Sequence, residues 1–178
     1  MSEPVLFTER LILRLPEAGD LDAWAAMSAD EATMRYLGGV KSRSEVWRDL
    51  CTMRGAWAIR GSAMFSVVER ATGRWVGPIG PWQPEGWPGT EVGWGVAPDF
   101  AGLGYAYEAA VATMDYATDI LRWTHVIHTI HPDNARSIAL AERLGSTNGG
   151  PTQLPPPLQD IRVDAWGQTA DQWRVHRG

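Results

Sequence analysis

The chain has 178 residues, 44% of them hydrophobic and 21% charged, with a formal net charge of −5. These values fit one globular domain with a sizeable core, and the negative balance disfavours a nucleic-acid partner. Cys51 is the only cysteine, which excludes an intrachain disulfide; with no apolar leader and no run of membrane-spanning length, the expected setting is the cytoplasm, away from membranes.

Residues 8–15, "TERLILRL", alternate apolar and polar side chains and predict a strand. Residues 16–30 predict a helix entered at Pro16, with Leu21, Trp24, Ala25 and Met27 at its apolar positions. Residues 42–55 predict a second helix, with Ser44 as N-cap and Gly55 as stop. The pattern then changes: "AMFSVVER", "GRWVGPIGPW" and "TEVGWGVA" predict three consecutive strands. Residues 105–121 predict a helix with Ala106, Ala110, Met114, Ala117 and Leu121 on one face. A strand over 124–130, a helix over 134–145 between Asn134 and Gly145, a proline-rich loop over 149–159 and a strand over 160–168 complete the chain. A meander of strands followed by alternating helices and strands predicts a mixed α/β (α+β) layered domain over residues 1–178.

Gly102 and Gly104 stand just before the helix at 105–121, with no charged or hydroxyl side chain between Asp99 and Tyr105. No Gly-Lys-Ser/Thr end makes a P-loop, and Tyr107 stands where a dinucleotide fingerprint needs a third glycine. Glycines allow close backbone approach, and a helix start offers unpaired N–H groups and a positive dipole end. Such a mouth suits a pyrophosphate held by main chain alone; a turn in which the glycines serve only geometry is the alternative.

In "EVGWGV", Val92, Trp94 and Val96 share one face of the strand, and Glu91, Gly93 and Gly95 the other. The second face is a carboxylate followed by two absent side chains, which opens space beside a general-base candidate. The alternative for Glu91 is an ion-paired or solvent-facing strand residue. Asn134 and Ser137 are three apart and share a helix face, as ligand contacts or as a cap and a first-turn residue.

The segments "ERLILRL", "EVGWGVAPDFAGLGYAYEA" and "HPDNARSIALAERLG" follow one another in this order. Together they resemble the GNAT superfamily of acetyl-CoA-dependent N-acetyltransferases, and most the RimJ/RimL-type branch, which acetylates protein N-termini and other amines. The resemblance runs from residue 8 to residue 145 and implies a mostly antiparallel mixed sheet of about six or seven strands, helices on both faces, and a splayed strand pair holding the CoA arm. The family's phosphate signature, Gln/Arg-x-x-Gly-x-Gly/Ala, falls on "AGLGYA", residues 101–106. Gly104 and Ala106 match; Ala101 replaces the usual Gln or Arg, and Leu103 stands where a basic residue is common. The implied cradle is therefore main chain, from Gly102, Leu103, Gly104, Tyr105 and Ala106.

The resemblance further implies that main-chain groups of Gly95, Val96 and Ala97 bond the pantetheine arm, that Asn134 contacts it, and that Ser137 approaches the thioester sulfur. Many superfamily members carry a tyrosine acid seven residues after this Asn; here that residue is Ala141. Ser137, a water, or a tyrosine such as Tyr105 or Tyr107 must then protonate the thiolate. The expected activity is direct acetyl transfer from acetyl-CoA to a primary amine, on a small molecule or a peptide, a protein N-terminus included. Glu91 would deprotonate the amine, and a backbone N–H such as that of Val96 would meet the oxyanion. No motif around Cys51 favours an acyl-enzyme. A non-catalytic CoA-binding module and a transferase using another acyl-CoA, such as succinyl-CoA, stay open, as does a homodimer.

No metal is expected. His125, His128 and His131 lie along a predicted strand and its exit without an acidic or cysteine cluster, and read as structural, with His131 near the site. Trp82 and Trp87 flank "QPEG" as hairpin packing or as walls of an acceptor cleft. "LPPPL" reads as a loop bordering that cleft, as a spacer before the last strand, or as a recognition motif.

Overall fold

The computed structural model describes residues 3–178. Eight strands form its sheet: β1 (Leu6–Phe7), β2 (Leu11–Arg14), β3 (Phe65–Glu69), β4 (Trp75–Trp82), β5 (Glu91–Trp94), β6 (His125–Ile130), β7 (Thr147–Thr152) and β8 (Val163–Thr169). Their spatial order is β1-β2-β3-β4-β5-β6-β8-β7, and every pairing is antiparallel except β5 with β6. The helices are α1 (Leu21–Ser28), α2 (Glu31–Met34), α3 (Arg43–Arg60), α4 (Tyr105–Asp115), α5 (Ala135–Arg143) and α6 (Ala170–Arg177). The expected mixed, mostly antiparallel α/β domain is what forms, with eight strands in place of six or seven.

Alternation along β4 shows how the helices cover it. Trp75 packs with Trp24, Met27, Val46 and Leu50 of α1 and α3, whereas its neighbour Val76 joins Phe100, Tyr105 and Ala109 on the α4 side. The small residues of α4 let it lie close to the sheet: Ala109, Ala110 and Met114 are fully buried. A π-helical stretch, Tyr116–Ile120, continues α4.

Several boundaries differ from the sequence reading, each for a local reason. The N-cap of α3 is Ser42, which forms a reciprocal capping box with Glu45, so Ser44 lies inside the helix. Gly55 is interior too; α3 stops at Gly61, whose φ of 73° suits a residue without a Cβ. The strand expected over residues 8–15 forms only as β2, because Thr8 N–H turns back to the Leu11 carbonyl at 3.0 Å; β1 lies before that stretch and was not expected. β7 occupies "TNGGPT", whose glycines and proline disfavour a strand and whose residues 149–152 fall in the expected loop; it pairs β8 around a bulge between Asn148 and Pro151. Helix α6 was missed altogether, although Thr169 and Gln172 form a capping box and Trp173 is 1% exposed.

Candidate active site

β5 and β6 share a single register pair, Glu91↔Ile127, whereas β5 matches β4 over four residues. A ladder bond at this pair runs from Ile127 N–H to the Thr90 carbonyl, 2.9 Å. Beyond it the strands diverge, and side chains bridge the gap. Glu91 Oε1 accepts from the Thr129 N–H at 3.1 Å, and His128 Nδ1 lies 2.7 Å from the Val92 carbonyl. A carbonyl only accepts, so Nδ1 carries the proton. His128 Nε2 then accepts from Ser146 Oγ at 3.0 Å, and Gln168 Nε2 donates to both Ser146 Oγ (3.0 Å) and the Leu144 carbonyl (2.8 Å). This buried relay fixes the width of the opening. Burial pushes the His128 imidazolium down to about 4, so the ring is neutral at physiological pH.

Glu91 sits at the mouth of the divergence and is 6% exposed. Thr129 Oγ1 donates to it at 2.9 Å, and Trp87 Nε1 donates to Oε2. Burial outweighs these donors and raises its pKa from an ordinary 4.5 to about 7. A carboxyl that exchanges its proton near neutral pH suits acid–base work. Trp87 is thus part of the site, and the hairpin-packing reading holds alongside: its ring meets Trp82 edge-on at 6.2 Å.

The glycines beside Glu91 do not leave a void as their absent side chains suggested. A Cβ on Gly93 would lie 2.6 Å from Met64 Cε, and one on Gly95 2.8 Å from Met27 Cε. Methionine methyl groups occupy the space. The N–H groups of Gly95 and Ala97 are spent on β4, donating to the Pro78 and Val76 carbonyls at 2.8 Å each. Alternation therefore turns the N–H of Val96, with that of Trp94, toward the gap; Gly95 and Ala97 offer no free donor to a guest there. Across the gap, Asn134 caps α5 by accepting from the Ser137 N–H at 3.3 Å. Ser137 Oγ in turn accepts from Trp94 Nε1 at 3.2 Å.

At the glycine mouth, Gly102 and Gly104 have φ of 78° and 82°. Gly104 is the N-cap of α4 and no side chain caps the helix, so the first-turn amides of Tyr105 and Ala106 keep no intrahelical partner. Ala101, Gly102, Leu103 and Gly104 are exposed. Sequence reasoning missed Arg10, which reaches the mouth from the start of β2. Its Nη1 donates to the Leu103 carbonyl (3.0 Å), its Nε to Glu108 Oε2 (2.6 Å), and its guanidinium lies 4.3 Å from the Tyr105 ring centroid. No local signal links residues so far apart in the chain. Neither tyrosine is poised for a proton transfer in the gap: the Tyr105 hydroxyl donates to Glu69, and the Tyr107 ring is covered by Arg143 at 3.7 Å.

A cavity of about 210 Å³ lies beside the strand divergence, apart from the glycine mouth. Glu91, Trp94, Asn134 and Ser137 line it, with Tyr36, Trp82, Trp87, His131, Leu154 and Leu158. The "LPPPL" segment therefore borders the cavity through its two leucines. His131 stacks on Tyr36 at 4.9 Å, His128 belongs to the relay, and His125 is exposed. Among the described residues no group of three or more potential metal ligands assembles, and no helix is long and apolar enough to cross a membrane.

With this geometry in view, the comparisons with known proteins are specific. The sequence model described as an acetyltransferase (GNAT) domain matches residues 10–147. The N-acetyltransferase YnaD of Bacillus subtilis (strain 168), itself uncharacterized, is 27% identical over 144 residues, 80% of this chain and 82% of its own. The crystal structure of an acetyltransferase from Agrobacterium tumefaciens str. C58 superposes with a TM-score of 0.82 at 30% identity, covering 94% of this chain and 95% of that one. A spermidine N-acetyltransferase from Vibrio cholerae, solved with CoA and spermine, shares the fold with a TM-score of 0.75 at 17% identity, covering 94% and 99%.

Proposed function

Because the chain belongs to the GNAT acetyltransferase family, we propose that it moves the acetyl group of acetyl-CoA to a primary amine by direct attack, with Glu91 as base and Ser137 as proton donor to the departing sulfur. The observation that carries this reading is Glu91: a buried carboxyl held near neutral pKa at the mouth of the β5–β6 divergence, in one cavity with Ser137. A module that only bound CoA would gain nothing from the cost of burying that group.

The uncapped first turn of α4 and the exposed glycines before it fit a pyrophosphate, which residues 102–106 would hold through main-chain N–H groups. The Trp94 main chain and the Val96 carbonyl would bond the pantetheine arm, and Asn134 would contact it. Bound acetyl-CoA supplies an activated acyl group. Glu91 removes the ammonium proton, which makes the amine nucleophilic. The Val96 N–H meets the carbonyl oxygen as it gains charge. Ser137 gives its hydroxyl proton as the carbon–sulfur bond breaks. No lysine or arginine lines the cavity among the described residues, which supports acetyl over a carboxylated acyl group such as succinyl. The RimJ/RimL-type branch offers a protein N-terminal amine as a competing acceptor, and the family context supports a cytoplasmic enzyme.

The test is thiol release from acetyl-CoA with an amine panel, read in single turnover across pH. The wild-type rate rises through about pH 7. Glu91→Gln loses that rise and turns over roughly a hundredfold or more slowly, with CoA affinity unchanged. A wild-type profile in the variant rejects Glu91 as the base.

A further inference from the structure

Three segments wall the cavity away from α5: residues 36–38 after α2, the end of β4 and the β4–β5 connection with Trp82 and Trp87, and the β7–β8 connection with Leu154 and Leu158. Glu91 is the one carboxylate among the described lining residues, and no lysine or arginine joins it. Apart from Glu91, the polar lining side chains His128, Thr129, His131, Asn134 and Ser137 come from β6, the turn after it and the start of α5. Aromatic and aliphatic surface makes up the rest.

We propose that the acceptor is a hydrophobic monoamine: one primary ammonium on an aryl or alkyl body, with no second cation and no carboxylate. This rests on the acetyl-transfer reading above. The single ammonium meets Glu91 among the aromatic rings of Trp82, Trp87 and Tyr36, a kind of surface that attracts cations. Its carbon body lies against Leu154 and Leu158 and gains by leaving water. A second ammonium would be set against those leucines with no acid to meet it. The carboxylate of a free amino acid would face Glu91 without a cation. A peptide would bring backbone amides to walls that offer them few partners.

The reaction balances simply. The amine nitrogen forms a bond to the acetyl carbon and the carbon–sulfur bond breaks. Of the two protons the ammonium loses, one leaves through Glu91 to solvent and the other ends on the Ser137 oxygen, restoring the hydroxyl whose proton went to sulfur. The products are an N-alkyl acetamide and the free thiol of CoA.

Matched pairs test the charge argument directly. Thiol release would be compared for octylamine against its α,ω-diamine and for phenethylamine against phenylalanine, with an alanine-initiated peptide as a further acceptor. The monoamine of each pair is expected to have the higher kcat/KM by roughly tenfold or more, and the peptide to fall below both monoamines. Leu158→Asp, at a half-buried loop position, puts an acid on the leucine wall. It should move the octylamine-to-diamine ratio by roughly tenfold toward the diamine. A diamine, amino acid or peptide that outperforms the monoamines overturns the acceptor assignment alone, as does an unmoved ratio in Leu158→Asp. Thiol release with none of the amines overturns the transfer reading and this one together.

Discussion

The Trp94 indole donates to Ser137 Oγ, which occupies one lone pair of that oxygen and leaves the hydroxyl proton available to another acceptor. The bond therefore selects a role for Ser137 as donor. A thiolate forming in a partly desolvated gap needs such a donor, and Ala141 has no hydroxyl. Ser137→Ala is expected to lower the single-turnover rate by roughly ten- to a hundredfold, because one hydrogen bond to a charged group contributes roughly 1.5–3 kcal/mol, while the acetyl-CoA Kd stays level. Trp94→Phe keeps an aromatic ring against His128 but loses the N–H together with part of the indole; it should slow the same step by a smaller factor. A full single-turnover rate in Ser137→Ala removes the serine from the mechanism. Gly104 provides a second test at this scale. Its φ of 82° and its place before α4 mean that Val there adds both backbone strain and bulk at the mouth. Gly73 has a similar φ, 72°, in the β3–β4 turn. Both Val variants should lose roughly 1–3 kcal/mol of stability, but only Gly104→Val should bind CoA more weakly. Equal CoA affinity in the two would place the phosphates elsewhere.

The β5–β6 divergence is an element-scale device, and it carries two titrating groups of opposite slope. The Glu91 carboxyl ionises near 4.5 when exposed and near 7 in the fold. Between those values the folded chain holds a proton that the unfolded chain has lost, so this residue's contribution to stability falls as pH rises through the window. His128 takes a proton near 6.5 when exposed and only near 4 when folded. There the unfolded chain binds the extra proton, and stability falls as pH drops from 6.5 toward 4. Each shift corresponds to about 3 kcal/mol, so in wild type the two nearly cancel. Chemical denaturation at several pH values would separate them. Relative to wild type, Glu91→Gln should gain stability as pH rises from 4.5 to 7, and His128→Asn should lose it between 4 and 6.5. Parallel curves for all three proteins would refute this balance. The sequence announced half of the arrangement. Alternation in "EVGWGV" put Glu91 on a face of its own, because a strand's period is local. His128 read as a structural residue of its strand, which it is, but its bond to the Val92 carbonyl depends on where two strands part, and no single segment encodes that.

For the molecule as a whole, CoA should stabilise the fold by about 2.7 kcal/mol at a hundredfold excess over its Kd. For a domain of this length that is a rise in Tm of roughly 5–10 °C, and a flat Tm at millimolar CoA would contradict the phosphate cradle. The layered architecture was legible because strand alternation, helix periodicity and glycine stops are written in short windows: α4, α5 and β3–β5 stand close to where those windows put them. What escaped were features decided by distant partners. Arg10 meets Glu108 only once β2 lies beside α4. β7 is a strand because β8 is there to pair with it, in spite of its glycines and proline. Helix α6 reads as polar, yet Trp173 is drawn into the core and its indole donates to Asp115 at 2.9 Å.

The position of β8 has a consequence for how the protein is made. β1 to β5 pair in the order in which they are synthesised, each beside the one before. β8 comes after β7 in the chain but lies between β6 and β7. On the ribosome, β6 therefore waits with one edge bare, and β7 has no partner, until residues 163–169 have emerged. The meander that holds Glu91 can assemble early; the strand that carries His128 and Thr129 is secured only by a stretch translated some thirty-five residues later. A ribosome that stalls in the proline-rich connection would thus hold a nascent chain whose cleft has one finished wall, and a premature stop before Val163 would leave the other wall with nothing to close against.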